Sequence, residues 1–273
     1  MSAVPPADAP VGRTPHNAGM HDPRRLPGLQ GATNFRDLGG YPGQDGRPLR
    51  WRRLFRSDHL GGLTESDREA MRALGITRAF DFRGEQERAA QPYALEGLRQ
   101  HALSIEPTVA QNMTALVEAG LPLTAERVTE LMEMLYRRLV DEESGRYAEW
   151  FGHLLEDDSP LVFHCTAGKD RTGVAAALLM RALGVPHEVV EHDYLYTNQV
   201  YRRPHTAGSS GLVPEDALQV LWTVQPRFLD AAFDTIERMP GGLEGYFTQR
   251  LKLGPAARAR LMQMYLEAPG GAA

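Results

Sequence analysis

The strongest constraint on this chain is an apolar–polar–apolar pattern near its middle. The short apolar run Leu161 to Phe163 has the composition of a buried strand. The longer apolar run Val174 to Leu183 ends at Gly184, as is typical of a helix with a C-terminal glycine. The loop between them contains Cys165, the only cysteine in the protein, and Arg171 follows six positions later. The pattern therefore predicts strand, tight loop and helix, with a nucleophile where the loop begins and an arginine where it ends.

Such a loop has the properties of an oxyanion cradle. Successive backbone N–H groups of a tight loop can form an anion nest, and the following helix N-terminus adds positive potential. The planar fork of Arg171 can bind two phosphate oxygens at once. Surroundings of this kind favour the thiolate form of a cysteine. We expect Cys165 to attack phosphorus and form a phosphocysteine, with Thr172 hydrogen-bonding the sulfur and easing its departure.

The bland alternative is a buried cysteine that packs as a small apolar side chain. A basic residue at one fixed offset from a cysteine is a weak signal, because Lys and Arg make up 30 of 273 residues. A packing cysteine, however, needs no loop of Gly, Lys, Asp and Arg after it. The combination therefore favours the reactive cysteine.

The segment His164 to Gly173, HCTAGKDRTG, resembles the signature of the cysteine-dependent protein tyrosine phosphatases. Its Gly-Lys-Asp-Arg form is similar to the bacterial atypical branch, which has tyrosine and phosphoinositide phosphatase activity. That branch also has segments similar to Asn34–Gly40, Leu54–Ser57, Asp81–Arg83 and Asp193–Asn198. The resemblance covers roughly residues 30 to 266, with a looser match over 107–146. It implies an α/β, cysteine phosphatase-like fold: a central, mostly parallel sheet flanked by helices, with an added helical segment.

Two acidic residues are candidates for the general acid that protonates the leaving oxygen. Asp170 lies inside the loop, and the resemblance favours it. Asp81 lies at the end of the predicted strand Ile76–Phe82, and ligands of open α/β sheets sit outside the carboxyl ends of strands. A residue within 107–146 or 202–216 is a further option. Asp170 has a structural alternative, in which it orients the loop or Lys169.

The remaining site candidates surround the expected phosphate. His164 is expected to orient the loop and to favour the thiolate, and Lys169 to attract polyanionic substrates. Arg36 is either part of the wall beside the loop or a surface partner of Asp37, and both readings stay open. The predicted substrate-binding set is His164, Thr166, Ala167, Gly168, Lys169, Thr172, Arg83 and Arg36.

Composition excludes several other classes of function. The formal net charge of −5 gives no broad basic surface for nucleic acid. One cysteine allows no internal disulfide. No run approaches the roughly 18 apolar residues of a membrane span, so stable membrane insertion is not expected. The N-terminus has no apolar core of a signal peptide, which favours a cytoplasmic location and leaves export without such a peptide open. We expect no metal and no organic cofactor, because the thiolate replaces a metal-activated water.

The chain divides into a leader and a domain. Residues 1–29 are rich in Pro, Ala and Gly and are predicted to be a disordered leader, and 30–268 to be a single phosphatase domain. Residues 107–146 form a possible helical lid insertion. An amphipathic helix is predicted there over Ala125–Val140, and its apolar stripe fits either a lid or ordinary core. The basic residues of the polar loop 202–213 fit either a head-group contact or a solvated loop.

The predicted function is hydrolysis of phosphate monoesters through a phosphocysteine. The substrate would be a phosphotyrosine protein, with phosphoserine, phosphothreonine or phosphoinositides as further options. A non-catalytic phosphate- or phosphoinositide-binding module is the main alternative. A rhodanese-like sulfurtransferase also uses a loop cysteine before a helix, but its loop would not need the ending Arg171-Thr172. The sequence leaves the oligomeric state open.

Overall fold

A five-stranded sheet carries the Cys165 loop at its centre. The computed structural model describes residues 22–106, 108–203 and 213–269, so most of the predicted leader and most of the loop 202–213 lie outside the described residues. The strands, in chain order, are β1 Arg36–Asp37, β2 Leu54–Ser57, β3 Arg78–Asp81, β4 Arg99–Ala102 and β5 Leu161–His164. Their spatial order is β1-β2-β5-β3-β4. The β1–β2 pair is antiparallel and the others are parallel, which confirms the predicted mostly parallel sheet.

Helices surround this sheet. In chain order they are α1 Glu65–Ala73, α2 Glu85–Ala90, α3 Thr108–Glu118, α4 Ala125–Asp141, α5 Ser144–Leu154, α6 Arg171–Ala182, α7 His187–Val200, α8 Glu215–Trp222, α9 Pro226–Glu237, α10 Gly242–Gly245 and α11 Pro255–Tyr265, with a π-helical turn at Tyr246–Arg250. Among the described helices, none is both long enough and apolar enough to cross a membrane.

The predicted elements are present, with shifted ends. The capping box of Thr64 and Asp67, whose spacing is visible in the sequence, begins α1. A strand predicted from the sequence over His101–Ile105 is instead β4, at Arg99–Ala102. Helix α3 was not predicted. The sequence does carry a start signal there, because Thr108 and Gln111 stand at capping-box spacing.

Strand β5 is buried on both faces, as a central parallel strand must be. Leu161 and Phe163 point into a large core shared with α4 to α7 and the C-terminal helices. Val162 points to the opposite face and packs in a smaller core with Phe55 and Met71. Each such side chain contributes roughly 1.5–3 kcal/mol when fully buried. Burial on both faces therefore fixes the strand from which the Cys165 loop begins.

The strand register brings candidate residues to one edge of the sheet. Asp81, the last residue of β3, lies opposite His164, the last residue of β5. Ser57, the last residue of β2, lies opposite His164 on the other side. The carboxyl ends of three parallel strands therefore meet where the loop begins, which is the expected place for a ligand.

Candidate active site

The loop after β5 turns its backbone carbonyl groups outward. Cys165, at the beginning of the loop, is only 2% exposed. Three successive carbonyl oxygens accept hydrogen bonds from outside the loop: Thr166 from the amide of His59 at 3.0 Å, Ala167 from Asn34 Nδ2 at 2.8 Å and Gly168 from Arg56 Nη2 at 2.8 Å. With the carbonyls bound on the outside, the loop amides are left to face inward as an anion nest.

Gly168 is required by the shape of this loop. Its φ is +66°, a conformation that residues with a Cβ rarely adopt. A Cβ at this position would lie 2.3 Å from the carbonyl oxygen of Ser57. The loop therefore passes so close to the end of β2 that only glycine fits.

Arg171 closes the loop as the first residue of α6. Its Nη1 donates to Glu87 Oε2 at 2.5 Å and to the carbonyl of Ile105 at 3.0 Å, and its Nη2 donates to Glu87 Oε1 at 2.9 Å. Among the described residues, no acceptor binds its Nε. The pairing thus fixes the guanidinium and leaves Nε free to bind a ligand.

Glu87 was not predicted from the sequence. It lies in the first turn of α2, where it also accepts hydrogen bonds from the amide of Gly84 and from the hydroxyl of Thr166. Burial alone would raise the pKa of Glu87, but the bonds from Arg171 more than offset burial and lower it to about 2. The sequence shows Gly84 and Glu87 at capping-box spacing. Nothing local reveals the contact with Arg171, 84 residues away.

Asp170 stands at the mouth of the loop with part of its carboxylate exposed. Its side chain is 19% exposed, and it lines the cleft above Cys165. Its Oδ1 accepts from Lys169 Nζ at 2.8 Å and from the hydroxyl of Tyr136 at 2.8 Å. Asp170 is therefore both anchored and within reach of a ligand in the cleft.

Asp81 is bound more tightly and lies deeper. Arg83 donates to both of its carboxylate oxygens, from Nε at 3.0 Å to Oδ1 and from Nη2 at 2.7 Å to Oδ2. Burial alone would raise the pKa of Asp81, but the ring of His164, which is charged at the acid pH where Asp81 titrates, and the guanidinium of Arg83 hold it below its ordinary value. Neither Asp81 nor Arg83 lines the cleft. The structure therefore brings this pair beside the loop, as the strand ends predicted, but not into the cavity.

His164 is completely buried beneath the loop. Its Nδ1 lies 3.2 Å from the carbonyl oxygen of Cys165, and its Nε2 lies 2.7 Å from the hydroxyl of Tyr93. These partners assign the proton to Nδ1, with Tyr93 donating to Nε2. Burial lowers the pKa of His164 to about 4, so the ring is uncharged at neutral pH. It therefore acts on the loop through hydrogen bonds and not through a positive charge.

Arg36 lies behind the loop and not in the cleft wall. It is fully buried, and its Nε donates to Asp193 Oδ1 at 3.0 Å. Its Nη1 donates to Asn34 Oδ1, and Asn34 in turn holds the loop carbonyl of Ala167. In this arrangement Arg36 supports the loop from outside. The predicted contact with substrate would require it to leave that position.

Thr172 is fully buried at the start of α6. Its hydroxyl makes no hydrogen bond with any described residue. The predicted donation to the sulfur of Cys165 stays a prediction, and the hydroxyl proton is available for it.

An apolar cleft of about 580 Å³ opens above Cys165. Its floor consists of the residues Cys165, Thr166, Ala167, Lys169, Asp170 and Arg171. Its walls come from α3, the segment between α3 and α4, α4 and α8. They are mainly apolar: Val109, Met113, Val117, Leu123, Met132, Leu135, Leu221 and Trp222. Helices α3 and α4 lie within the region 107–146, so that region faces the loop. A phosphate at the floor would carry an apolar group up between these walls.

Potential metal ligands within the described chain converge elsewhere. His187 and Glu191 on α7 and Asp230 on α9 bring one ligand atom each within 4.8 Å of the others. None of the three lines the cleft.

A thiol at the floor of an anion cradle is the arrangement by which a cysteine-dependent phosphatase takes a phosphoryl group from its ester. The mostly parallel sheet that presents this loop fits the same class of enzyme. The chain belongs to the tyrosine phosphatase family, whose model matches residues 27–267. It is a phosphoric monoester hydrolase, and its substrates are phosphorylated molecules.

Three curated relatives agree with this assignment. A Cupriavidus necator protein that carries a provisional name as a tyrosine-protein phosphatase is 31% identical over 231 residues, covering 82% of this chain and 83% of its own. A tyrosine-protein phosphatase of Nostoc commune is 30% identical, over 51% of this chain and 46% of its own. The triple specificity protein phosphatase of Mycobacterium tuberculosis is 29% identical, over 80% of this chain and 91% of its own. The resemblance noted in the sequence, the fold class and the phosphatase function are therefore confirmed.

Proposed function

We propose that Cys165 is the nucleophile of this phosphatase and that the reaction passes through a phosphocysteine. The observation that carries the proposal is the position of the thiol. It lies at the floor of the cleft, beneath loop amides whose carbonyls are bound from outside. A phosphate on this floor has its oxygens among the amides and its phosphorus against the sulfur.

The two half-reactions use the same residues. In the first, the thiolate of Cys165 attacks phosphorus, the S–P bond forms, the P–O bond of the ester breaks and Asp170 gives its proton to the leaving oxygen. In the second, water attacks phosphorus, its proton goes to Asp170, and phosphate leaves with the thiolate restored. Arg171 and the loop amides bind the equatorial oxygens and stabilise them in both transition states.

Asp170 is the better supported of the two general-acid candidates. It lines the cleft and keeps one carboxylate oxygen without a partner among the described residues. Asp81 is committed to Arg83 through both oxygens, and its lowered pKa disfavours the protonated form that a general acid needs. We therefore assign proton donation to Asp170 and a supporting role, beneath the loop, to Asp81.

The cleft walls favour a substrate whose phosphate is attached to an apolar group. Phosphotyrosine meets this condition, because its ring would lie between α3, α4 and α8. The Mycobacterium tuberculosis relative is named for triple specificity, so phosphoserine, phosphothreonine and phosphoinositides belong in the substrate set to be tested. Lys169, at the cleft floor, adds positive charge that favours acidic neighbours of the phosphate. We further propose that one phosphatase domain spans 30–268 and that 107–146 acts as a cover of the cleft.

The deciding experiment is hydrolysis of p-nitrophenyl phosphate without added metal, in single-turnover mode and across pH. We expect the wild type to turn over and Cys165→Ser to be silent while still binding inorganic phosphate, since the cradle remains without the thiolate. Asp170→Asn should lose the basic limb of the pH profile, whereas Asp81→Asn should keep it.

Two other outcomes would contradict this proposal. Phosphate binding by a silent wild type would point to a binding module. Transfer of sulfur from thiosulfate to cyanide by Cys165 would point to a sulfurtransferase.

A further inference from the structure

A chain of two buried tyrosines ends on the proposed general acid. We infer that Tyr136 and Tyr194 are positioning residues that hold Asp170 by its Oδ1, so that Oδ2 carries the proton delivered to the leaving group. The inference rests on the proposed function, because it concerns how the same site donates its proton. Tyr136 lies in the loosely matching region 107–146, and Tyr194 lies in the segment Asp193–Asn198, so neither belongs to the loop that carries the catalytic residues.

Tyr194, Tyr136 and Asp170 form a chain of two hydrogen bonds in space. The hydroxyl of Tyr194 donates to the oxygen of Tyr136 at 2.7 Å, and the hydroxyl of Tyr136 donates to Asp170 Oδ1 at 2.8 Å. The backbone of Gln225 hydrogen-bonds to the oxygen of Tyr194 at the far end. The rings of Tyr136 and Tyr194 are buried, so water does not compete for these bonds.

The direction of each hydrogen bond follows from the number of protons on the two tyrosine hydroxyls. Burial raises the pKa of Tyr136 and of Tyr194 well above the ordinary value of a tyrosine, so both keep their single proton. Each hydroxyl therefore has one proton to give, and the geometry directs both protons along the chain toward Asp170. Lys169 Nζ, 2.8 Å from Oδ1, is a second donor to the same oxygen.

Asp170 is thereby divided into two unlike oxygens. Oδ1 accepts one hydrogen bond from the hydroxyl of Tyr136 and one from Lys169 Nζ. Oδ2 accepts no hydrogen bond from any described residue. A proton on the carboxyl group would meet two other protons at Oδ1, so it resides on Oδ2, the oxygen left to the leaving group.

Packing keeps the chain in place. The ring of Tyr136, on α4, lies 6.1 Å edge-on from Tyr194, on α7, and 5.7 Å from Phe228, on α9. The ring of Tyr194 also lies against Gly173, where an added Cβ would approach it to 3.2 Å. Three helices and the first turn of α6 therefore set the orientation of one carboxylate.

The test is the dependence of kcat/KM on the leaving group, for aryl phosphates from p-nitrophenyl to phenyl phosphate. A general acid matters most for the most basic leaving oxygen, so its loss steepens the slope of log kcat/KM against leaving-group pKa. We expect Tyr136→Phe to lower kcat/KM for phenyl phosphate by roughly 10- to 100-fold, less than most of the roughly 100- to 10,000-fold that a general acid contributes, because the acid is misplaced and not removed. The loss for p-nitrophenyl phosphate should be much smaller, and Tyr194→Phe should show the same pattern more weakly.

Tyr246→Phe is the matched control. Tyr246 is buried, and its hydroxyl donates to the carbonyl of Val140, one turn from Tyr136 on α4, at 2.8 Å. This variant loses one buried tyrosine hydrogen bond and should keep the wild-type slope. Thermal midpoints of both variants separate a general loss of stability from a loss of proton delivery.

A double variant gives the sharpest outcome. Tyr136→Phe added to Asp170→Asn should cause no further loss with phenyl phosphate, because the group it positions is already gone. A wild-type slope in Tyr136→Phe, or independent losses in the double variant, would overturn the inference. If Asp170→Asn itself keeps the slope while Cys165→Ser is silent, the phosphatase stands and the positioning role falls. If the wild type is silent, the proposed function itself has failed.

Discussion

Two arginine–carboxylate clusters lie on opposite sides of the Cys165 loop, and they differ in exposure and in access to the cleft. Behind the loop, Asp193 pairs with Arg36 at 3.0 Å and with Arg56 at 2.7 Å, and all three side chains are at most 1% exposed. At the mouth, Arg171 pairs with Glu87 at 2.5 Å, and their side chains are 9% and 22% exposed. We call these the rear cluster and the mouth cluster.

The hydrogen bonds of the rear cluster all go to groups of the protein itself. Asp193 accepts from both arginines and from the hydroxyl of Tyr41, and Arg56 also binds the loop carbonyl of Gly168. The mouth cluster leaves hydrogen-bonding atoms available to a ligand. Nε of Arg171 has no acceptor among the described residues, and Oδ2 of the neighbouring Asp170 has no donor among them. Arg56 Nε at the rear also has no partner among the described residues, but it is buried and none of the rear cluster lines the cleft, whereas Arg171 and Asp170 do. The same chemistry therefore builds a scaffold where it is closed off and a reaction site where it opens to a ligand.

The largest expected effect comes from breaking the rear cluster with Asp193→Asn. Burial alone would raise the pKa of Asp193, but Arg36 and Arg56 hold it well below its ordinary value, so the carboxylate is charged at neutral pH. Removing that charge leaves two buried guanidinium groups uncompensated, which costs about 3–5 kcal/mol of unfolding free energy. Urea denaturation at pH 7 measures this loss of unfolding free energy. Asp141→Asn, which removes an exposed partner of Arg250, should cost at most about 1 kcal/mol. Equal losses in the two variants would contradict the distinction.

The next effect comes from the mouth cluster, through Arg171→Lys. Lysine keeps the charge but loses the planar group that holds Glu87 through Nη1 and Nη2 and leaves Nε for a phosphate oxygen. We expect kcat to fall by about 100- to 1,000-fold, the range observed when one oxyanion donor is removed. The unfolding free energy should change much less than in Asp193→Asn. Steady-state kinetics and urea denaturation of the same preparation compare the two effects. A variant that unfolds readily while its folded fraction keeps wild-type kcat would place Arg171 with the scaffold.

The smallest expected effect is a change in acid stability, seen in Glu87→Gln. The pKa of Glu87 is lowered to about 2 in the folded protein, against an ordinary value of 4.5. A lowered carboxyl pKa contributes stability that is complete above the ordinary value and is lost as the pH falls toward the folded value. The wild type should therefore lose unfolding free energy between about pH 4.5 and pH 2, and Glu87→Gln should lack that component. Parallel curves for the two proteins over this window would show that the mouth pair adds no stability.

The rear and mouth clusters also differ in how far the sequence predicts them. The loop from Cys165 to Arg171, its strand and its helix were predicted because their pattern is local. The approach of Asp81 to the loop was predicted as well, because parallel strands end at one edge of a sheet. The family resemblance placed Arg36 beside the loop as one of two readings, but it could not place Arg36 on the rear side.

Contacts between residues far apart in the chain could not be predicted from the sequence. Tyr136 lies on the apolar stripe of α4, and only its partner at Asp170 distinguishes it from an ordinary core residue. Glu87 lies in a six-residue helix of mostly polar residues, and the contact that matters is with Arg171, which no local pattern reveals. Helix α3 was not predicted, although Thr108 and Gln111 stand at capping-box spacing, so a wall of the cleft was missed.

The most direct test of a phosphocysteine mechanism is to trap the intermediate. We would mix the wild type with excess p-nitrophenyl phosphate, quench in acid within the first turnover, and measure the intact mass and the modified peptide. The account predicts one added phosphoryl group on the peptide containing Cys165, with none in Cys165→Ser and more accumulation in Asp170→Asn, where water attack lacks its base. Turnover by the wild type with the phosphoryl group on another residue, or turnover by Cys165→Ser, would contradict it.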